Sequence, residues 1–230
     1  MPWSEFLIGA LAAIVLGLDR TAVGQFMVSR PIVAGPLTGW LIGDPLVGLQ
    51  VGALVELLWL GRLPVGAAIP PDDTQVAVSS TVLAIAAGSR LPVDGALVIL
   101  FCVLAAMPLA KIGQIFDRLA RNVNARLVKQ AEGDLAAGHL KNLERRHLRG
   151  LVHFTAASAG TYVFITVPGW LAVLLAGEIL LPTLGKVEGW LLLAFPLVGT
   201  ATILGTMNVS RSLTLFTASF TTVLLLLWLL

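Results

Sequence analysis

The side chains best placed to do chemistry in this chain fall between residues 43 and 73, GDPLVGLQVGALVELLWLGRLPVGAAIPPDD. Read as a helix, this stretch puts Gly48, Gly52 and Glu56 at i, i+4 and i+8, on one stripe, with Trp59 one turn further on. Small residues let another backbone approach closely, so the stripe should face packed protein and carry Glu56 with it. A carboxylate inside a membrane segment costs roughly 2.5–3.5 kcal/mol at a helix centre. Something must meet it. A carboxylate takes hydroxyl donors while an aromatic ring covers an apolar C–H face; Glu56 and Trp59 together would suit a sugar. The structural alternative is that Glu56 pairs with a cation such as Arg62 or Arg30. Asp72 and Asp73 follow Pro70-Pro71 and precede Thr74 at a helix start. One of them is expected as an N-cap, and Asp72, after Gly66-Ala67-Ala68, is the second candidate solute contact.

Other patterns are weaker. Asp19-Arg20 reads as a local ion pair at the end of the first apolar segment. His139, His147 and His153 lack metal-ligand spacing on a common face, and His153 reads as structural. There is no Ser–His–Asp pattern, no Gly-rich phosphate loop and no two-metal carboxylate set, so nothing here points to ATP hydrolysis.

The elements that position these residues follow from composition. The chain is 57% hydrophobic and 12% charged, about half the usual supply of charge, and its mean hydropathy is +0.91. That is an all-α integral membrane protein, read as a single membrane domain over residues 1–230. One cysteine, Cys102, excludes an internal disulfide, and a net charge of +2 gives no footing for nucleic acid. The first segment, Trp3–Leu18, has Glu5 where a signal peptide would carry basic residues, so it is expected to be retained. Residues 31–60 are broken at Gly43-Asp44-Pro45, because Pro45 lacks an N–H and disfavours the helical region for Asp44. The halves span only ~18 Å and ~22 Å at 1.5 Å per residue, against a hydrocarbon core of about 30 Å. Two half-length helices around a polar turn suggest a re-entrant hairpin, and interrupted segments of this kind point to solute sites; two tilted helices joined by a surface loop are the alternative. Further apolar segments are residues 74–89, 92–110, 151–183, 189–205 and 212–230, with Pro168-Gly169 expected to kink or divide the stretch 151–183. The total is six to eight membrane elements.

Residues 111–149 stand apart. They hold nine of the fifteen Lys and Arg residues and four acids. A basic loop of under about 60 residues between membrane segments is expected in the cytoplasm. Ile112, Ile115, Phe116, Leu119, Val123 and Leu127 recur at helical spacing, so the loop is an amphipathic helix with a break expected at Gly133-Asp134. It would rest on anionic headgroups, dock a soluble partner, or do both.

Two runs resemble a known family. QFMVSRPIVAGPLTGWLIGD (25–44) and GALVELLWLGRLPVGAAIPPD (52–72) are similar to the IIC membrane subunits of the mannose–fructose–sorbose phosphotransferase system. Arg30, Pro31, Gly43, Asp44, Glu56, Gly66, Ala67, Ala68, Pro71 and Asp72 match that pattern in order. Asn208 and Arg211 resemble a later Asn-x-x-Arg of the family, and Gln114 and Gly133-Asp134-Leu135 also align. The resemblance implies a sugar permease subunit working with a IID-like membrane subunit in a hetero-oligomer at the plasma membrane. Soluble IIB and IIA phosphocarriers would supply the phosphoryl group, with no phosphorylated residue and no cofactor on this chain. It also implies that Asn208 and Arg211 join Glu56, Asp72 and Trp59 at the substrate, through an elevator-type movement. Pro64 stands where the mannose branch carries a sugar-contacting Asn, so mannose specificity is not implied. The chain stops at Leu230 in an apolar run where relatives continue, and a last membrane segment is expected to be missing. The competing readings are a membrane enzyme acting on a lipid-linked substrate and a degenerate regulatory or structural subunit.

Overall fold

A computed structural model describes residues 3–61, 68–88, 90–91, 95–206 and 212–229. The described residues form helices α1 (Trp3–Thr21), α2 (Pro31–Ile42), α3 (Pro45–Trp59), α4 (Asp73–Gly88) and α5 (Gly95–Ala106), then a short 3₁₀ turn (Met107–Leu109). These are followed by α6 (Ala110–Ala136), α7 (Leu140–Gly185), α8 (Glu188–Thr206) and α9 (Ser212–Leu229).

Helix α4 is the axis of the molecule. Of its sixteen residues only Ile85 and Gly88 are not buried, because α1, α2, α3, α5 and α7 all pack on it. A helix buried all round needs no polar face, yet α4 carries Gln75, Ser79, Ser80 and Thr81. Their side chains bond inward. Gln75 donates to the Ala13 carbonyl at 2.8 Å, Thr81 to the Ala77 carbonyl at 2.8 Å, and Ser79 accepts from Thr166 at 3.1 Å. These bonds lower the cost of burying polar groups and tie α4 to α1 and α7.

The break expected at Gly43-Asp44-Pro45 is present, and α2 and α3 pack against each other about it. Gly43 takes the left-handed conformation (φ 113°) after α2, and Asp44 caps α3 by accepting from the Val47 N–H at 3.1 Å. Glycines then let α2 and α3 touch backbone to backbone. A methyl group at Gly48 would lie 2.2 Å from the Gly35 carbonyl oxygen, and one at Gly52 would lie 2.4 Å from that of Pro31. The stripe read from the sequence therefore does face packed protein.

Among the described residues, three helical stretches are long and apolar enough to cross a membrane: Gly95–Ala136, Leu140–Gly185 and Glu188–Thr206. Pro31–Ile42, Pro45–Trp59 and Leu213–Leu229 are apolar and shorter. The outer surfaces of α7, α8 and α9 expose Leu175, Ile179, Trp190, Leu226 and Trp228, an apolar exterior that suits lipid rather than water. The first two stretches run 42 and 46 residues, about 63 and 69 Å, twice the depth of a hydrocarbon core. Their excess length pairs as an antiparallel α6–α7 arm.

Two expectations are revised here. Of the two outcomes expected at Pro168-Gly169, division does not occur: helix α7 runs continuously through it. An interior Pro costs about 3 kcal/mol, but close packing offsets it: Gly169 sits on Leu83, where a methyl group would be 2.5 Å from a Leu83 carbon, and Trp170 is buried beside Phe6. The arm does not break at Gly133-Asp134 either. Helix α6 continues to Ala136, and the chain reverses at Gly138 (φ 76°), whose left-handed conformation favours Gly. Asp134 instead accepts from Arg146 at 2.8 Å and Asn142 at 3.3 Å, and His153 contacts Asn124 at 2.6 Å, so polar side chains hold the two arms of the hairpin together.

Candidate functional site

The candidate acids are held in two ion pairs, Glu56 with Arg30 and Asp72 with Arg20. Glu56, on the last turn of α3, forms an ion pair with Arg30, the residue that precedes α2. It also accepts from the Ile32 N–H at 3.3 Å. The glycine contacts explain the pairing: with Gly48 and Gly52 pressed on α2, the third member of the stripe reaches the start of that helix. Arg30 also lies within electrostatic reach of Asp73. The partner foreseen for a structural role was Arg62 or Arg30; Arg30 is the one in contact, and Arg62 lies outside the described residues. Trp59 is buried in the main core.

Asp72 is the N-cap of α4. Its Oδ1 accepts from the Gln75 N–H at 3.0 Å, three residues on, and from Arg20 Nη1 at 2.6 Å. Asp73 Oδ1 accepts from the Thr74 N–H at 3.0 Å and lies 3.8 Å from Arg20. Arg20 further donates to the carbonyls of Pro70 (3.4 Å) and Pro71 (3.2 Å). From the other side, α6 closes on the same turn. The Asp72 N–H donates to the Ala110 carbonyl at 3.0 Å, Gln114 donates to the Ile69 carbonyl at 2.6 Å, and a methyl group at Gly113 would lie 2.3 Å from the Asp72 Cβ.

The expected Asp19–Arg20 pair is not what the structure shows. Arg20 turns to Asp72 and Asp73, while Asp19 accepts from the backbone N–H groups of Phe26 (2.8 Å) and Ser29 (3.0 Å). Consecutive helical residues project about 100° apart, so neighbours in sequence serve different partners. Asp19 thereby braces a loop in which Gln25 (φ 55°) and Met27 (φ 64°) are left-handed, a conformation costing about 1–3 kcal/mol for a non-glycine residue. The loop ends on Ser29, whose carbonyl accepts from the Thr74 hydroxyl at 2.8 Å.

The centre holds two sets of paired charge: Arg20 with Asp72 and Asp73, and Arg30 with Glu56. Buried ions persist when paired and hydrogen-bonded, and each of these is. A crevice beside Arg20 and Asp72, bounded also by Asp117, Ser158 and Thr161, has a volume of about 10 Å³, no more than a water molecule needs. The centre is closed in this conformation. Reading the sequence missed Asp19 and Arg20 as part of it; the available signal was an acid and a base ending an apolar helix. Gly66, Asn208 and Arg211, and Pro64 with them, lie outside the described residues. Arg30, Pro31 and Pro71 lie beside the centre, whereas Gly43 and Asp44 make the turn at the other end of α2, about 18 Å away at 1.5 Å per residue.

Fold and site together define an all-helical membrane protein with a glycine-packed helical hairpin and a buried, charge-paired polar centre. Comparison with known proteins gives the particular family. Residues 3–228 match the family described as the PTS system sorbose-specific IIC component, and the chain belongs to that family. It is 32% identical over 146 residues to the fructose permease IIC component of Bacillus subtilis, covering 64% of this chain and 49% of that one. To the mannose-specific EIIC component of Escherichia coli it is 28% identical over 146 residues, covering 64% and 50%. The aligned region thus spans about half the length of these curated relatives. Among solved structures, one described only as a membrane protein superposes with a TM-score of 0.69 at 22% identity, covering 97% of this chain and 87% of that one. A complex of the mannose transporter ManYZ with a microcin gives 0.57 at 23% identity with the same coverage. Both show a shared fold.

Proposed function

We propose that this chain is the sugar-translocating IIC subunit of a phosphotransferase permease, acting as one membrane domain in the plasma membrane beside a IID-like membrane subunit. Soluble IIB and IIA phosphocarriers serve it from the cytoplasm, where the basic α6–α7 arm lies. Glu56 and Asp72 accept sugar hydroxyls, with Trp59, Asn208 and Arg211 as further contacts. The observation that carries this reading is that the motif residues Arg30, Glu56 and Asp72, far apart in sequence, converge on the head of α4 as the main charged cluster of the packed helices. The relatives include proteins named for fructose, mannose, sorbose and N-acetylgalactosamine, which supports a hexose or hexose derivative as the solute.

In the closed conformation each acid is held by an arginine. Hydroxyls therefore enter by sharing or displacing Arg30 and Arg20 as the hairpin moves relative to α4, and the re-entrant disposition of α2–α3 would let it do so from one side of the membrane. The reading as an enzyme on a lipid-linked substrate has no comparable support, since Glu56 and Asp72 are engaged in ion pairs rather than poised to transfer protons.

The test is binding of ¹⁴C-labelled fructose, mannose and sorbose to membranes containing the chain with its co-expressed permease subunits. Saturable retention of at least one hexose that falls in Glu56→Gln and Asp72→Asn supports the assignment. No saturable hexose binding in correctly assembled complex overturns it.

A further inference from the structure

The candidate acids are held in place by residues outside the family motif. Two of these, Asp19 and Arg20, are adjacent at the end of α1, and both act on the head of α4. We propose that Asp19-Arg20 is the positioning element of the solute site: Arg20 sets the Pro70–Asp73 turn directly, and Asp19 sets it through Ser29 and Thr74. The proposal rests on the reading of Asp72 as a solute acceptor and names what makes it an acceptor of fixed geometry.

Arg20 grips both the side chains and the backbone of the turn. One guanidinium nitrogen holds Asp72 Oδ1 at 2.6 Å, and the other reaches the carbonyls of Pro70 and Pro71 at 3.4 and 3.2 Å. Such a set needs the planar, forked donors of Arg; the point charge of Lys satisfies the ion pair but not the fork. Both prolines lack an N–H, so the turn has few donors with which to order itself. Its carbonyls must be ordered from outside, by Arg20 at Pro70 and Pro71 and by Gln114 at Ile69. Asp19 completes the frame. Its carboxylate is 8% exposed as a residue and takes two backbone N–H groups of the 26–29 segment. That segment is then pinned to α4 by the Thr74 hydroxyl. Removing either grip leaves the acids present but frees the turn that aims Asp72, and a misplaced group loses the benefit of preorganisation.

Arg20 differs from Arg30 in this respect. The described contact of the Arg30 side chain is to the Glu56 carboxylate, whereas Arg20 also binds the backbone it orders. Substitution of Arg20 is therefore expected to weaken solute binding even though it removes a competitor for Asp72.

The experiment is a double-mutant cycle read by the Kd of the tightest-binding labelled hexose, on the assembled complex in membranes. Arg20→Lys, Arg20→Gln and Asp19→Asn are each made alone and on Asp72→Asn. Each single variant is expected to weaken binding about tenfold, with Lys milder than Gln. On the Asp72→Asn background the Arg20 and Asp19 substitutions should add less than about twofold, since they act through Asp72. Asp19→Asn keeps the side-chain volume and touches no charge partner, so it reports even if Arg20→Gln fails to assemble. If Asp72→Asn weakens binding but the Arg20 and Asp19 effects are absent or fully additive to it, the positioning role is wrong while the solute site stands. If Asp72→Asn itself leaves Kd unchanged, both fall.

Discussion

Replacing Glu56 with Gln, and Arg30 with Gln, should move sugar affinity in different directions. Glu56 is 13% and Arg30 20% exposed in their side chains, so the pair is largely but not wholly removed from water. Either substitution leaves one ion without its partner. Full burial of an unpaired ion costs about 3–5 kcal/mol; partial hydration brings the expected stability loss to about 1–3 kcal/mol for each. Stability thus does not separate a structural carboxylate from a functional one. Affinity does. A hydrogen bond to a charged acceptor contributes ~1.5–3 kcal/mol against ~0.5–1.5 for a neutral one, so Glu56→Gln should weaken hexose binding roughly tenfold. Arg30→Gln removes the group that competes with hydroxyls for the same oxygens, so affinity should hold or rise by a few-fold. The assay is equilibrium binding of labelled hexose alongside thermal unfolding of both variants in detergent. Equal loss of affinity in the two, or unchanged affinity in both with lowered Tm, would refute the reasoning and leave the pair as a packing contact.

Other expectations follow from the same geometry. Gly48→Val should separate α2 from α3, because even one added carbon meets the Gly35 carbonyl at 2.2 Å; overpacking of this kind costs about 1–3 kcal/mol, read as a lower Tm and lost sugar binding, whereas Gly88→Ala, which meets nothing within 4 Å, should be silent. Lys129 is exposed on the arm, so in a Cys102→Ala background Lys129→Cys should resist a membrane-impermeant maleimide in intact cells and react in inverted vesicles; labelling from outside would place the arm on the other face. Affinity purification in mild detergent should bring down a second, IID-like membrane subunit, and a monodisperse homo-oligomer that transports sugar alone would show that none is required.

How much of this could be read beforehand depended on the range of the interaction. The break at Gly43-Asp44-Pro45 was legible because its causes are local: a proline without an N–H, an Asx cap and a glycine able to turn left-handed. The stripe Gly48, Gly52, Glu56 was legible for the same reason, since helical periodicity alone puts those residues on one face. The expected break at Gly133-Asp134 failed because two polar, flexible residues inside an amphipathic run look like a turn when their partners are unknown. Once Asp134 bonds to Arg146 and Asn142 across the arm, the helix is worth continuing, and the reversal moves to Gly138. Pro168 misled in the same way. Its local cost is real, but packing of α4 against Gly169 and of α1 against Trp170 offsets it.

The site was half legible, and the missing half is instructive. Glu56 and Asp72 drew notice because a carboxylate in an apolar setting is expensive wherever it sits. Arg20 and Asp19 did not, because at the end of a helix an acid beside a base has a cheap local explanation. That explanation ignores geometry: adjacent residues on a helix diverge, so neither can easily satisfy the other, and each must find a partner elsewhere. Arg20 finds Asp72 at a separation of 52 residues, and Asp19 finds the loop it bends. A charged pair at adjacent helical positions next to an apolar run is then better read as two unmet demands than as one met: here Arg20 is answered at the head of α4 and Asp19 by the loop that Ser29 and Thr74 tie to it.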